Sequence, residues 1–273
     1  MKDIIARLKE TTEFLIKEHF GGGTIGVVLG TGLGSFTNEM QIEKQISYAE
    51  IPNFPVATVE FHKGQLLFGA IGDKKVIAMQ GRFHYYEGYS MQEITFPIRV
   101  MKELGVQHLL LSNAAGGINL DYKKGDLVIL EDHINLQPEN PLRGLNAPEF
   151  GNRFVDMSQP YNFNLNSLLL KAGDDLNISL KKGIYASVMG PNLETRAEYR
   201  YIRTIGADMV GMSTVPEVIV ANHIGLKCAA VSVITDECDP DNLQPVDISE
   251  IIAVAGKADA KLSKIFAEVI SSL

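Results

Sequence analysis

Short apolar runs alternate with stretches of helical periodicity along nearly the whole chain, and that alternation limits the fold more than any other feature. The runs at 25–29, 66–70, 75–79, 108–111, 127–130, 184–189, 208–212 and 228–234 read as strands. Those at 4–18, 91–104, 164–175, 195–204, 215–223 and 248–271 read as helices. Such alternation predicts an α/β fold around a buried, partly parallel sheet. The runs at 66–70 and 75–79 are joined through Gly72-Asp73, which predicts a hairpin and therefore a mixed sheet. No internal repeat or low-complexity linker marks a boundary, so one domain over 1–273 is expected. The loop 136–156 is long and rich in Pro, Asn and Gly, and loops of that length are usually functional or interface-forming.

With 273 residues, 45% of them apolar, the chain can bury a sizeable core. Its net charge is −8 and it has no Lys/Arg-rich run. Clustered cations are what hold a nucleic-acid backbone, so nucleic acid is not an expected partner; one local arginine can still hold a small anion. Of the two cysteines, Cys228 sits in an apolar run and reads as core, while Cys238 sits in an acidic loop. Neither has metal-ligand spacing, so no metal is expected, and a reduced, cytoplasmic protein fits best. The first twenty residues are charged throughout and amphipathic, unlike a signal peptide. No apolar run approaches the roughly 20 residues that span a bilayer, so no membrane partner is expected.

The densest chemistry lies in Gly81-Arg82-Phe83-His84-Tyr85-Tyr86-Glu87-Gly88-Tyr89, directly after the apolar run ending at Met79. The arginine fork fits a phosphate bidentately, and a histidine two residues on faces the same way in an extended segment. The segment is either a phosphate site or a basic surface loop over packed aromatics. Four further segments place small or polar residues after an apolar run. In Gly30-Thr31-Gly32-Leu33-Gly34-Ser35 the third glycine comes one residue early for a dinucleotide fingerprint, which leaves a backbone anion cradle or a plain tight turn. Ser112-Asn113-Ala114-Ala115-Gly116-Gly117 reads as a turn of tiny residues, leaving either uncovered N–H groups or close helix–strand packing. In Gly190-Pro191-Asn192-Leu193-Glu194-Thr195, either Asn192 or Thr195 caps the next helix. Glu194 then lies at its first turn, favoured there by the helix dipole or accepting N–H donors from a ligand's planar edge. Ser213-Thr214-Val215-Pro216 reads as a helix N-terminus, an ordinary cap or an anion site. Asp236, after the run 228–234, is a ligand carboxylate or a turn residue. Several such segments converging on one crevice is how α/β sheets commonly arrange ligands.

Taken together, Gly30–Gly34, Thr58-Val59-Glu60-Phe61-His62-Lys63-Gly64, Gly81–Tyr89, Asn113–Gly117, Gly190–Thr195 and Val210-Gly211-Met212-Ser213-Thr214-Val215-Pro216-Glu217-Val218 resemble the trimeric purine nucleoside phosphorylases, relatives of methylthioadenosine phosphorylase. The resemblance runs across most of the chain in family order. It implies a three-layer α/β fold with a central mixed β-sheet and a phosphorolytic pentosyltransferase of purine salvage. It also implies roles. Phosphate is held by Thr31, Arg82, His84, the Ala114 N–H and Ser213, with His62 nearby. The ribose lies against Tyr86 and Met212. The purine is read by Glu194 and Asp236, with Tyr185 and Leu193 lining the base pocket; Glu194, Asp236 and His84 carry the chemistry. Phe154 reaches into a neighbouring subunit of a homotrimer. Phosphate is a co-substrate and no cofactor is implied.

The chain departs from the family pattern in three places. Thr31 replaces a frequent serine and keeps the hydroxyl. Leu193 replaces a frequent phenylalanine, which weakens base stacking. Asp236 stands where strict 6-oxopurine enzymes have asparagine and the methylthioadenosine branch has aspartate. Glu194 points to inosine and guanosine, Asp236 towards 6-aminopurines. The expectation is inosine and guanosine cleavage, with a methylthioadenosine or adenosine-accepting phosphorylase as the alternative.

Overall fold

The computed structural model describes residues 2–30, 34–56, 58, 63–144 and 147–273. The described strands are β1 Ile25–Leu29, β2 Gln41–Ser47, β3 Gln65–Ile71, β4 Lys74–Gln80, β5 His108–Gly117, β6 Leu127–Asn135, β7 Leu180–Ser187, β8 Met209–Gly211 and β9 Lys227–Glu237. The α-helices are α1 Lys2–Lys17, α2 Met91–Glu103, α3 Phe163–Leu176, α4 Arg196–Thr204, α5 Val215–His223 and α6 Ile248–Ser272. They build one mixed sheet in the order β2-β3-β4-β1-β5-β8-β7-β6-β9, and β9 also pairs with β5. The last five strands therefore close into a small ring, while β2, β3, β4 and β1 extend from it as an open wing. β1 is buried at every position, as expected of a central strand with parallel neighbours on both sides, β4 and β5. The β3–β4 hairpin forms as expected, with Gly72 at φ +57° in its turn.

Alternate residues of β1 face two different cores. Val28 joins the cluster formed with α1, α2 and α5, whereas Ile25, Val27 and Leu29 join the one formed with α3 and α6. Helices thus cover both faces, giving the three-layer α/β arrangement. Helix starts follow local chemistry: Ser90 with Glu93 and Thr195 with Glu198 form reciprocal capping boxes on α2 and α4. Among the described helices none is long and apolar enough to cross a membrane.

Two sequence expectations change. β2 (Gln-Ile-Glu-Lys-Gln-Ile-Ser) is an extra strand that carries no apolar run, because it sits at the sheet edge with nearly every residue exposed. Charged residues are how edge strands avoid pairing with other chains, so composition hides them. The tiny residues 112–117 are not a turn: β5 runs through them to Gly117, against β9 along its whole length.

Candidate active site

The architecture itself makes a gap. β9 lines one edge of β5 from His108 to Gly117. On the other edge β1 pairs only as far as Leu111, and antiparallel β8 pairs only at Gly116 and Gly117. Residues 112–115 therefore have a strand neighbour on one side only, and a cleft opens beside them. Its empty volume, open solvent at the mouth included, is about 680 Å³. Gly30, at the end of β1, must lack a side chain, since a Cβ would stand 2.8 Å from the Ser112 carbonyl oxygen.

One group of lining residues is cationic and hydroxylic. Arg82 follows β4 and is only 1% exposed. Its Nε donates to Glu217 Oε1 at 3.0 Å and its Nη1 donates to the Ser112 carbonyl, which the missing strand leaves open. Glu217 is itself buried in the first turn of α5. The pair satisfies the rule that buried charges are matched, because an unmatched one costs several kcal/mol, roughly 3–5 when one partner is removed. His84 stacks on Tyr86 with ring centroids 4.8 Å apart, and its Nδ1 lies 2.9 Å from Glu87 Oε1. Burial pushes the Glu87 carboxyl up, but hydrogen bonds from His84 and Thr58 outweigh it and bring the value down to about 2. Glu87 thus stays ionised and fixes the imidazole's orientation. Burial, and then Glu87, raise the Tyr86 hydroxyl to about 12 against the opposing pull of Arg82, so it remains protonated and can both donate and accept.

Ser213 lies where β8 gives way to α5. Thr214 has φ +70° and ψ −51°, and the Val215 N–H donates to the Ser213 carbonyl at 2.8 Å. This is the rarer, strained form of γ-turn, adopted by a β-branched residue that avoids positive φ. Thr214 makes no side-chain cap to α5. Its hydroxyl instead accepts from Asn113 Nδ2 at 2.8 Å and lies 3.1 Å from the Ser213 hydroxyl, while Asn113 Oδ1 accepts from Ser232 at 2.7 Å. The turn is held by buried side chains from β5 and β9, and it presents Ser213 to the cleft.

A second group is anionic. Glu194 stands just before the Thr195 cap of α4, not in its first turn; Glu198 takes the place that favours the dipole. Burial, then the Asp236 and Glu198 charges, push its carboxyl up, while a backbone donor and Tyr199 pull it back. Asp236 belongs to β9, next to its end, and is not a turn residue. Its Oδ1 accepts from Thr235 at 2.9 Å and its Oδ2 from Cys238 Sγ at 3.0 Å. Leu193, Met212 and Tyr199 border the same cleft.

Of the residues singled out in the sequence, Arg82, His84, Tyr86, Ala114, Leu193, Glu194, Met212, Ser213 and Asp236 line this one cleft. Thr31 and His62 lie outside the described residues. Tyr185 is not among the residues that line this cleft. It is fully buried behind the cleft, and its hydroxyl accepts the Ser213 N–H at 3.3 Å. Phe154 does not border the cleft and is 88% exposed. Cys238 lies in the acidic loop just after β9, as expected, and is buried there. Sequence reasoning missed Glu217, Glu87 and Tyr199 as partners. A lone carboxylate in the apolar α5 segment Val-Pro-Glu-Val-Ile-Val was the available sign that a buried cation faces it. Among the described residues no group of three or more His, Cys, Asp or Glu could hold a metal ion.

Comparison with known proteins agrees with this geometry. The family model of the phosphorylase superfamily matches residues 24–271. Purine nucleoside phosphorylase 1 of Bacillus subtilis is 47% identical over 271 residues, covering 99% of each chain. Isoform 2 of purine nucleoside phosphorylase from Schistosoma mansoni, solved with cytosine and ribose-1-phosphate, superposes with a TM-score of 0.93 at 42% identity, covering 98% of this chain and 96% of that one. A Schistosoma mansoni purine nucleoside phosphorylase solved with adenosine gives 0.93 at 38% identity, covering 98% of both. The chain belongs to the phosphorylase superfamily and, within it, to the purine nucleoside phosphorylases.

Proposed function

We propose that this chain catalyses the reversible phosphorolysis of purine (2′-deoxy)ribonucleosides, chiefly inosine and guanosine, to free base and α-D-(deoxy)ribose 1-phosphate in purine salvage. The observation that carries the reading is a single cleft in which buried Arg82 and the Ser213 turn meet two carboxylates, Glu194 and Asp236. Inorganic phosphate sits with Arg82, His84, Ser213 and the Ala114 N–H, joined by Thr31 and His62. Tyr86 and Met212 flank the ribose, and Glu194, Asp236 and Leu193 take the base. Phe154, on the exterior, completes the site of a neighbouring copy in a homotrimer. The protein works in the cytoplasm without a cofactor, phosphate being its co-substrate.

The chemistry follows from charge. As the glycosidic bond breaks, its electron pair leaves with the purine and the sugar becomes oxocarbenium-like. A phosphate oxygen held beneath the sugar stabilises that cation and then bonds to C1′. Preorganised groups do this without reorganising, which is the reason for holding Arg82 from two sides before substrate arrives. Ionised Glu194 accepts N1–H and, in guanine, the 2-amino N–H; adenine has neither.

The test is hypoxanthine release from inosine with and without phosphate. Strict phosphate dependence is expected; equal release without it would mean a hydrolase. The second reading, cleavage of adenosine or methylthioadenosine, is favoured by the Asp236 carboxylate in the cleft, an acceptor for an amino group. Turnover of inosine against methylthioadenosine separates the two.

A further inference from the structure

Ser213 is placed by its main chain and aimed by its neighbours' side chains. Its N–H donates to the Tyr185 hydroxyl at 3.3 Å, and its carbonyl accepts from Ser187 Oγ at 3.2 Å and from the Val215 N–H at 2.8 Å. Those bonds fix where the residue stands, not where its hydroxyl proton points. Three further contacts bear on the proton. Ser232 Oγ of β9 lies 2.7 Å from Asn113 Oδ1, Asn113 Nδ2 lies 2.8 Å from Thr214 Oγ1, and Thr214 Oγ1 lies 3.1 Å from Ser213 Oγ. Asn113 is 2% exposed, and Thr214 and Ser232 are fully buried. Ser213 and Asn113 border the cleft; Thr214 and Ser232 do not.

A buried O–H without an acceptor is costly, so each proton along these contacts must find one. Among the described residues the Ser232 hydroxyl meets only Asn113, so its proton goes to the Asn113 oxygen. That holds the amide with Oδ1 towards Ser232 and Nδ2 towards Thr214; the reverse setting would strand the Ser232 proton. Thr214 Oγ1 therefore accepts from Nδ2. Its own proton has one acceptor left among the described residues, Ser213 Oγ. Ser213 then accepts from Thr214, and its own proton is free for the cleft. Every link has its proton: Ser232 O–H to Asn113, Asn113 N–H to Thr214, Thr214 O–H to Ser213, Ser213 O–H to whatever occupies the cleft. We propose that Ser232, Asn113 and Thr214 are positioning residues, a directed chain of hydrogen bonds that makes Ser213 a donor to the bound anion, with Ser232 setting the direction from behind the cleft. The inference rests on the phosphorolysis reading, which makes that anion inorganic phosphate. Run backwards, the chain would turn the Ser213 proton inwards and face phosphate with oxygen lone pairs, which repel it. A hydroxyl whose direction is not set has three staggered positions, so setting one favours binding about threefold before any repulsion is counted.

The experiment titrates the enzyme with inorganic phosphate in a calorimeter and measures kcat, with KM for phosphate and for inosine. Ser213→Ala is expected to weaken phosphate binding about tenfold or more, the loss of one hydrogen bond to a charged group. Ser232→Ala and Thr214→Val are each expected to weaken it about three- to tenfold and to raise KM for phosphate in parallel. KM for inosine at saturating phosphate is expected to stay nearly unchanged. Thr214→Ser keeps the hydroxyl and is expected to bind phosphate as the unaltered enzyme does. On the Ser213→Ala background, Ser232→Ala is expected to cost nothing further, because the chain then has no end to aim. Additive losses in that double variant, or an equal rise in KM for inosine, would overturn the proposal and leave Ser232 as packing. Unchanged phosphate affinity in Ser213→Ala or Ser232→Ala would overturn it too. Should Thr214→Val not fold, Ser232→Ala and the double variant carry the test. Inosine cleavage by the unaltered enzyme at equal rate without phosphate would instead overturn the phosphorolysis reading, while the calorimetry still decides whether the chain aims Ser213 at an anion.

Discussion

The two groups that line the cleft are built differently. The Arg82–Ser213 group is held from behind by buried partners: Glu217 from α5, the Ser112 carbonyl, Tyr185, and Asn113 with Ser232. The Glu194–Asp236 group is more open, with Leu193 exposed and the Asp236 carboxyl held by one hydroxyl and one thiol. The cationic group is fixed before any ligand arrives, whereas the anionic group is a set of adjustable acceptors. Binding phosphate beneath an oxocarbenium-like sugar is the same task for every nucleoside, and rigidity suits it. Reading a base is where related enzymes diverge, and fewer buried partners there make divergence cheaper.

That contrast breaks most readily at Arg82. Arg82→Gln is expected to lower phosphorolytic kcat/KM by about 100- to 1,000-fold, the cost of removing one preorganised donor. It also leaves Glu217 buried without its cation, so melting temperature falls, by the equivalent of about 3–5 kcal/mol. Adding Glu217→Gln separates the effects: stability is expected to return while activity stays down. Recovery of both together would show the pair to be scaffolding rather than part of phosphate binding.

The open group should respond more selectively. Glu194→Ala is expected to cost about 10- to 100-fold in guanosine kcat/KM, the range for hydrogen bonds to a charged group, with melting temperature nearly unchanged. Equal loss on adenosine would remove the base-reading role. Asp236→Asn is expected to lower any adenosine cleavage more than inosine cleavage, by a further factor of about five to ten. A parallel fall would assign Asp236 to fold or proton balance instead.

The same contrast explains what the sequence made legible. β1, α5 and the β3–β4 hairpin were readable because each is decided locally, by a buried run or a turn residue. Arg82 and His84 were readable because their residue types have few other uses after a strand. The partners that fix them were not, since Arg82 and Glu217 lie 135 residues apart in sequence and meet only once β4 and α5 are placed. Ser112–Gly117 misled for a related reason. Tiny residues signal a turn when read locally, but here they let a strand lie close to Cys238 and Gly30. Tyr199 was hidden in the most polar helix, and it borders the cleft only because α4 comes to lie beside the end of β9.

The smallest expected effect belongs to Glu87, the partner that orients His84. Its carboxyl is depressed from 4.5 to about 2, burial being outweighed by hydrogen bonds from His84 and Thr58. A depressed acid contributes stability that is complete above its unfolded value and is lost as pH falls through the folded one. For Glu87 that window runs from about 4.5 down to about 2. The side chain is nearly buried, and its oxygens are taken up by His84 and Thr58. Glu87→Gln is therefore expected to melt lower than the unaltered protein near pH 7, with the gap narrowing as pH drops below about 4.5. Inosine kcat/KM is expected to fall by about tenfold or less, as His84 loses its fixed tilt while Arg82 stays in place. A melting-temperature gap that stays constant down to acid pH would mean that Glu87 contributes packing alone. His84 would then owe its orientation to stacking on Tyr86, and the rigidity of the cationic group would rest on Arg82 and the Thr214 turn.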